Sequence, residues 1–237
     1  MRHDSRSRIG AGTRPCAVTA RRRLPPLVLA SESPRRRELL SALGVEFDSR
    51  PSGIDESSEE ADPARRAVAL ALAKARTVGS LAPGALVLAA DTIVVAPDGS
   101  LLGKPPDEAS AYGMLGALRG RVHRVVTGVA AVRGRRSGTE CATTAVRMRS
   151  YSRTEVERYV ARGEPFDKAG GYAIQDAEFA PAASAEGCLC CVIGLPLWSA
   201  RRLLAAVGGA CTASPAIERC SGCPLRDGAE AASRPTG

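Results

Sequence analysis

The feature that most constrains the fold is the run at residues 85–95, the most apolar stretch of the chain. Such a run predicts a central strand that is buried on both faces, as in sheets covered by helices. Helical and strand patterns alternate on either side of it, and hairpin turns are predicted at residues 97–99 and near residues 134–138. The chain is therefore predicted to be an α/β protein with a mixed sheet.

Two polar residues, Asp91 and Thr92, interrupt this apolar run. A carboxylate inside a buried strand costs free energy unless it is paired or binds a cation. Polar side chains in a central strand are typical of a functional site, so we favour a functional role for this pair over a structural one.

A second informative stretch, residues 27–44, predicts a short strand, a polar turn and a helix. Ser33 is the expected N-cap, and Pro34 suits the first helical position. Three arginines follow at residues 35–37, and their charge opposes the positive end of the helix dipole. A bound polyanion would remove the conflict, since N–H groups, hydroxyls and guanidinium groups would point at one site. A solvated arginine cluster is the alternative.

The other elements follow from periodicity and from capping residues. Helices are predicted at residues 63–80, 107–118, 152–162 and 196–207, and strands at 45–50, 123–132 and 188–194. Residues 101–105 are predicted to form a return strand and an exit loop, and the second hairpin, broken near residues 134–138, is predicted to return through Thr143 to Arg149. A glycine-bearing loop and a short strand are predicted over residues 163–175, followed by an irregular segment up to residue 187.

The chain of 237 residues suits one large domain with an extension at each end. We predict a disordered basic extension at residues 1–25, a folded domain at 26–208 and a flexible tail at 209–237. Residues 1–26 hold seven arginines and one aspartate, so most of the net charge of +8 lies in the extension. Few aromatic side chains are available for base stacking, which argues against nucleic acid as a partner.

The cysteines and the apolar runs bear on location and redox state. No stretch reaches the roughly 18–20 apolar residues of a membrane span, and a cytoplasmic protein is predicted.

Eight cysteines without an export signal fit reduced thiols better than disulfides. Cys220 and Cys223 form one Cys-x-x-Cys pair, for which a zinc site with Cys190 or Cys191 is conceivable. Small buried thiols are the preferred interpretation, because one short pair is a weak metal signal.

Lysine is scarce in this sequence, with only Lys74, Lys104 and Lys168 among the 33 Lys and Arg residues. Lysine and arginine are not interchangeable where a compact point charge must reach an oxygen. These three positions are therefore candidate site residues.

Three motifs occur together in the sequence. They are Leu-Ala-Ser-x-Ser-Pro-Arg-Arg at 29–36, Ala-Asp-Thr at 90–92 with Gly-Lys-Pro at 103–105, and Asp-Lys-Ala-Gly at 167–170 with Ile-Gln at 174–175 and Gly-Leu-Pro-Leu at 194–197. As a set, in order and spacing over residues 27–207, they resemble the Maf family of septum-formation-inhibitor-like nucleoside triphosphate pyrophosphatases. One departure is at residues 187–194, where cysteines replace polar residues that are usual in the family.

The resemblance implies an elongated, two-lobed α/β fold like that of inosine triphosphate pyrophosphatases, with a nucleotide cleft between the lobes. The implied reaction is hydrolysis of the α–β anhydride of a nucleoside triphosphate, with a divalent cation, Mg²⁺ or Mn²⁺, as cofactor. The alternatives are a nucleotide-binding regulator of cell division with incidental hydrolysis and a related enzyme of different base preference. A homodimer is one option for the assembly.

The resemblance also assigns roles to individual residues. Asp91 is implied to accept a proton from water, and Glu56 to be the second carboxylate for the cation. Lys74 and Lys104 match lysines of the family pattern and are expected in the catalytic centre with Asp91. The residues expected to bind the substrate are Ser31, Ser33, Arg35, Arg36, Thr92, Lys168 and Gln175.

Substrate preference is predicted from Arg35, Thr92 and Gln175. These match the family members that act on dTTP and UTP, whereas members that act on 7-methyl-GTP carry Trp, Gln and Glu at the corresponding places. The amide of Gln175 can both donate to and accept from the edge of a pyrimidine base. The predicted substrates are dTTP and UTP.

Overall fold

A mixed sheet of seven strands forms the centre of the computed structural model, which describes residues 26–209 and 214–226. The strands are β1 (Leu27–Leu29), β2 (Asp48–Ser49), β3 (Leu86–Val95), β4 (Leu101–Leu102), β5 (Val122–Arg133), β6 (Arg136–Met148) and β7 (Ala182–Glu186). The helices are α1 (Pro34–Ser41), α2 (Pro63–Leu81), α3 (Glu108–Leu118), α4 (Arg153–Ala161), α5 (Leu189–Ile193) and α6 (Leu197–Ala206). The predicted α/β class is confirmed, and the predicted basic extension lies outside the described residues.

The strand order β2-β1-β3-β5-β6-β7 leaves part of β3 open on one edge. On that edge, the parallel strand β1 pairs with residues 86–88 of β3, and the antiparallel strand β4 pairs with residues 94–95. On the opposite edge, β5 pairs with residues 87–95. In the described part of the chain, the gap between β1 and β4 therefore lies beside Asp91 and Thr92.

Asp91 and Thr92 also divide the apolar core on the two faces of the sheet. On the face covered by α2, Asp91 lies between the cluster that contains Ala89 and the cluster that contains Ile93. On the other face, Thr92 lies between the cluster around α1, α5 and α6 and the cluster around α3 and α4. Side chains alternate along a strand, so one polar pair separates two apolar regions on both faces. This arrangement is the structural basis for two lobes that meet at Asp91.

A glycine allows α2 to approach the sheet beside Asp91. Gly128 of β5 pairs with Asp91, and a Cβ atom at Gly128 would lie 2.4 Å from the carbonyl carbon of Ala67 in α2. No side chain fits in that space, so the helix backbone rests directly on the strand. Lys74, two turns further along α2, reaches Asp91 with its ammonium group.

The predicted strand at residues 188–194 is wrong, because this segment forms the short helix α5. Cys188 is its N-cap in an extended conformation, and Gly194 ends it with a φ of 120°. A short buried apolar run has no periodicity that distinguishes a strand from a turn of helix, which explains the error.

Three further boundaries differ from the prediction. Strand β6 begins at Arg136, directly after a tight turn at Gly134, so the break between the two strands is shorter than the predicted 134–138. Residues 172–175 form no strand, because Gly170 and Gly171 adopt positive φ values and fold the chain into 3₁₀ turns at Glu164–Asp167 and Ala169–Gly171. The segment expected to be irregular contains β7, whose small and mostly exposed residues carry little hydrophobic pattern.

The capping predictions are confirmed. The Ser33 side chain accepts from the backbone N–H of Arg36 at the start of α1, and Ser152 and Glu155 form a capping box at the start of α4. Within the described ranges, no helix is both long and apolar enough to cross a membrane.

The C-terminal residues 214–226 differ from the flexible tail that the sequence predicts. Cys220, Cys223 and Leu225 are buried in the same cluster as α1, α5 and α6. The backbone N–H of Ala216 donates to the carbonyl of Ala42, and the indole N–H of Trp198 donates to the carbonyl of Cys220. This segment is therefore packed against the folded domain.

Candidate active site

The gap beside β3 opens into a cavity of about 490 Å³, a volume typical of small-molecule sites. Its wall includes the turn between β1 and α1, the middle of β3, Lys74 of α2 and the 3₁₀ turns after α4. The structure brings every site residue predicted from the sequence into this wall. They are Ser31, Ser33, Arg35, Arg36, Glu56, Lys74, Asp91, Thr92, Lys104, Lys168 and Gln175.

A lysine between two carboxylates forms the centre of the cavity. The ammonium Nζ of Lys74 lies 2.6 Å from Oδ1 of Asp91 and 2.7 Å from Oε1 of Glu56. The Lys74 and Asp91 side chains are buried, whereas the Glu56 side chain is 59% exposed. Partial burial raises the pKa of Glu56, but the hydrogen bond from Lys74 and the charges of Lys74, Lys104 and Arg36 outweigh it, so the net pKa is lowered. Glu56 is thus held as an anion.

The N-terminus of α1 faces this centre with its hydroxyls and Arg36. The guanidinium of Arg36 donates to the carbonyl of Gly194 at 2.9 Å, to Oγ of Ser31 at 3.3 Å and to Oγ1 of Thr92 at 3.1 Å. Burial lowers the pKa of Arg36, and the charges of Asp91 and Glu56 oppose that shift. The first turn of α1 contains no acidic residue. The helix end therefore offers a fixed cation and the positive end of the helix dipole to an anion.

An ion pair joins α1 to the 3₁₀ turns across the cavity. Nη1 of Arg35 lies 2.6 Å from Oδ2 of Asp167, and Nζ of Lys168 lies 2.6 Å from Oδ1 of the same carboxylate. Lys168 also contacts Oε2 of Glu164 at 3.0 Å. Desolvation raises the pKa of Asp167, yet hydrogen bonds from Lys168 and Arg35 outweigh this and lower it overall. Asp167 therefore holds both cations at the cavity wall.

Thr92, predicted to determine the base preference, contacts protein groups in the structure. Its hydroxyl accepts from Arg36 and lies 3.0 Å from the hydroxyl of Thr127, which donates to the carbonyl of Cys191. These contacts position Arg36, and the specificity role of Thr92 stays a prediction. Gln175 and Lys104, in contrast, are exposed at the cavity wall, where a ligand can reach them.

No role was predicted for Asp167, Thr127 or the carbonyl of Gly194. Thr127 is fully buried within β5 and pairs with Thr92 across the sheet. A polar residue inside an apolar strand is the signal that identified Asp91, and it could have identified Thr127. The partners of Arg35 and Arg36 could not be found in this way, because residues 167 and 194 are distant in sequence.

The carboxylates of Glu56 and Asp91 suit a hard divalent cation. Mg²⁺ is commonly bound by one or two carboxylates and completes its shell with water and substrate phosphates. Both carboxylates contact the same ammonium group, so their oxygens lie close enough to share one ion. The donor set is therefore compatible with the predicted Mg²⁺ or Mn²⁺.

Behind the cavity wall, a buried histidine supports Tyr172, a lining residue. Nε2 of His123 lies 2.7 Å from the Tyr172 hydroxyl, and Nδ1 is buried without a hydrogen-bond partner. Burial lowers the pKa of His123 from its ordinary 6.5 to about 4. The neutral imidazole is therefore the form that the folded protein accommodates.

We expect this histidine to make the folded protein sensitive to mild acid. Between pH 6.5 and about 4, the unfolded chain binds a proton on His123 that the folded chain does not, so the free energy of unfolding falls as pH decreases. The full effect is about 3 kcal/mol, at about 1.4 kcal/mol for each pH unit. Urea denaturation at pH 7 and pH 5 should show a smaller loss for His123→Gln than for the wild type. Equal losses would contradict this.

Comparisons with known proteins agree with the motif pattern. The family model described as "Maf-like protein" matches residues 26–207. The chain is 53% identical over 184 residues to a dTTP/UTP pyrophosphatase of Thermomicrobium roseum, covering 77% of this chain and 84% of the relative. It is 51% identical over 185 residues to a dTTP/UTP pyrophosphatase of Moorella thermoacetica, covering 77% and 95%. Among solved structures, a HAM1 protein from Coxiella burnetii is similar with a TM-score of 0.40 and 16% identity, over 55% of this chain and 76% of that one.

Proposed function

We propose, since the chain belongs to the Maf-like protein family, that it is a nucleoside triphosphate pyrophosphatase which converts dTTP and UTP to the monophosphate and pyrophosphate. The observation that carries the proposal is the meeting of two opposite charge centres in one cavity. The carboxylates of Asp91 and Glu56 lie on one side, and the cationic N-terminus of α1 lies on the other. A triphosphate needs cationic groups for its oxygens and a base for the attacking water.

The α1 side of the cavity suits the phosphates. The hydroxyls of Ser31 and Ser33 and the guanidinium of Arg36 are oriented by contacts within the protein. Such pre-oriented donors bind a polyanion without further ordering. Lys104 and Lys168 add charge at the cavity wall.

Asp91 is the proposed general base. Water attacks a phosphorus atom of the α–β anhydride, Asp91 takes a proton from that water, and the bridging P–O bond breaks to release pyrophosphate. Lys74 binds Asp91 through Oδ1 and holds the carboxylate in place while Oδ2 is available to the water. Glu56 and Asp91 would hold the divalent cation, which supplies neutralising charge to the triphosphate when bound.

Base preference is proposed to depend on Gln175 and Arg35, which lie at the cavity wall. The amide of Gln175 is exposed and can pair with the edge of a pyrimidine. Arg35 is tied to Asp167, so its position is set by the turn that precedes Gln175. The cytoplasmic location and the homodimer stay predictions.

We expect a substrate panel to separate pyrimidine from methylated purine nucleotides. A site that hydrogen-bonds a base edge discriminates strongly against bases that leave its polar groups unpaired. The value of kcat/KM for dTTP and UTP should exceed that for 7-methyl-GTP at least about tenfold, with pyrophosphate release as the measured quantity and Mg²⁺ or Mn²⁺ present. Faster hydrolysis of 7-methyl-GTP than of both pyrimidine nucleotides would refute the proposed preference.

A further inference from the structure

Four cysteines lie together where α5 meets the C-terminal segment 214–226. They are Cys188, Cys190, Cys220 and Cys223, and they are exposed by 2%, 0%, 2% and 7%. Sγ of Cys190 lies 3.4 Å from Sγ of Cys220. All four cysteines belong to the same buried cluster, and the Cys188 side chain is near enough to those of Cys190 and Cys223 to act on them. The four thiols thus lie together.

The cluster consists of two short pairs, Cys-x-Cys at 188–190 and Cys-x-x-Cys at 220–223. One short cysteine pair is only a weak indication of a metal site. The fold brings a second short pair next to it. Cys191 is not a member, because its Sγ points to the carbonyl oxygens of Ala142 at 3.2 Å and Val125 at 3.6 Å.

We propose that Cys188, Cys190, Cys220 and Cys223 bind one structural zinc ion. Zinc in closed structural sites is tetrahedral with four protein ligands, and four cysteines are a common ligand set. Each thiol loses its proton on binding, so four thiolates and one Zn²⁺ carry a net charge of −2. The charge of Arg219 acts on Cys220 and offsets part of that charge.

The spacing of Cys190 and Cys220 is close to what a zinc ion requires. With Zn–S bonds of about 2.3 Å, two thiolates on one tetrahedral ion lie about 3.8 Å apart. The sulfur atoms of Cys190 and Cys220, at 3.4 Å, are somewhat closer than this. Among the described residues, no group of three or more His, Cys, Asp or Glu side chains is already arranged to hold a metal ion. Rotation of the cysteine side chains would open the cluster for the ion.

The packing of the C-terminal segment supports a zinc ion over free thiols. In residues 214–226 the buried side chains are those of Cys220, Cys223 and Leu225. Two of these three are the thiols, so the segment buries little apolar surface to offset the entropy of ordering its backbone. A metal that joins it to α5 supplies the missing stabilisation.

A disulfide accounts for less of this geometry than zinc does. One disulfide would join two sulfur atoms and leave the other two as buried thiols. Instead, all four cysteines are buried in one cluster, with Cys190 in contact with Cys220 and with Cys188 near Cys190 and Cys223. A single ion satisfies every member of the cluster.

Elemental analysis of the purified full chain tests the proposal directly, with no chelator in the buffers. We expect about one zinc per chain in the wild type, and at least a tenfold lower content in the double variant Cys220→Ser, Cys223→Ser. Cys141→Ser is the matched control, because Cys141 lies on β6 outside the cluster. It should retain the zinc of the wild type. Cobalt loaded in place of zinc should show the thiolate charge-transfer bands of a tetrahedral sulfur site.

Three results would overturn the proposal. The first is wild-type protein with less than a tenth of an equivalent of zinc that also takes up none when zinc is added to the reduced protein. The second is a zinc content that the double variant retains. The third is an intact mass lower by two hydrogens, together with two cysteines of the cluster that resist alkylation after denaturation, which would show a disulfide. The test does not depend on nucleotide hydrolysis, so it stands or fails separately from the proposed function.

Discussion

Asp91→Asn is expected to lower kcat for dTTP hydrolysis by about 10²–10⁴-fold, the range by which a positioned general base contributes. Asparagine has nearly the same shape and can still contact Lys74, but it cannot take a proton from water. At saturating Mg²⁺ the fall should appear mainly in kcat, because the phosphate contacts at α1 are unchanged. The measurement is pyrophosphate release at saturating dTTP with Mg²⁺ present.

The control for this variant is Asp98→Asn. Asp98 lies in the exposed turn between β3 and β4, where asparagine is readily accommodated. It should hydrolyse dTTP at the wild-type rate, and both variants should have a similar Tm, since Lys74 in Asp91→Asn keeps its ion pair with Glu56. An Asp91→Asn protein with unchanged kcat would exclude Asp91 as the proton acceptor.

Arg36→Met is expected to lower kcat/KM for dTTP by about 10²-fold, the usual effect of removing one pre-oriented donor from an anion site. The guanidinium of Arg36 is fixed by three contacts, with Gly194, Ser31 and Thr92. Arg36→Lys should recover little, because the three contacts come from three separate nitrogens of the planar guanidinium, which the single nitrogen of an ammonium group cannot replace. Steady-state kinetics over a range of dTTP concentrations measures the effect.

Arg37→Met is the matched control for Arg36→Met. Arg37 is the next residue of the same helix turn, but it is exposed and donates to the carbonyl of Glu32. Its replacement should change kcat/KM less than about twofold, in keeping with the small effect of most surface substitutions. Equal losses in the two variants would mean that the helix end attracts the substrate by overall charge alone.

The location of the site was predictable because local signals marked residues that the fold then brings together. Asp91 stands out as a carboxylate in an apolar strand, and Ser33 and Pro34 mark the start of α1. The mixed sheet followed from alternating patterns and from the Pro97–Gly99 turn. None of these signals depends on contacts that are distant in sequence.

The parts that were missed depend on distant contacts or on weak patterns. α5 is too short to show a helical period, so its burial alone suggested a strand. The packing of residues 214–226 depends on the meeting of Cys220 and Cys223 with Cys188 and Cys190, which lie some 30 residues earlier. The ion pair of Arg35 with Asp167 joins residues 132 positions apart, and no local pattern reports it.

Identification of the products of dTTP hydrolysis by the purified full chain tests the central claim most directly. Phosphorus NMR should show dTMP and pyrophosphate in equal amounts, and both should appear much more slowly with Asp91→Asn. Release of dTDP and inorganic phosphate, or no turnover of dTTP and UTP with either Mg²⁺ or Mn²⁺ present, would contradict the claim that this cavity hydrolyses the α–β anhydride.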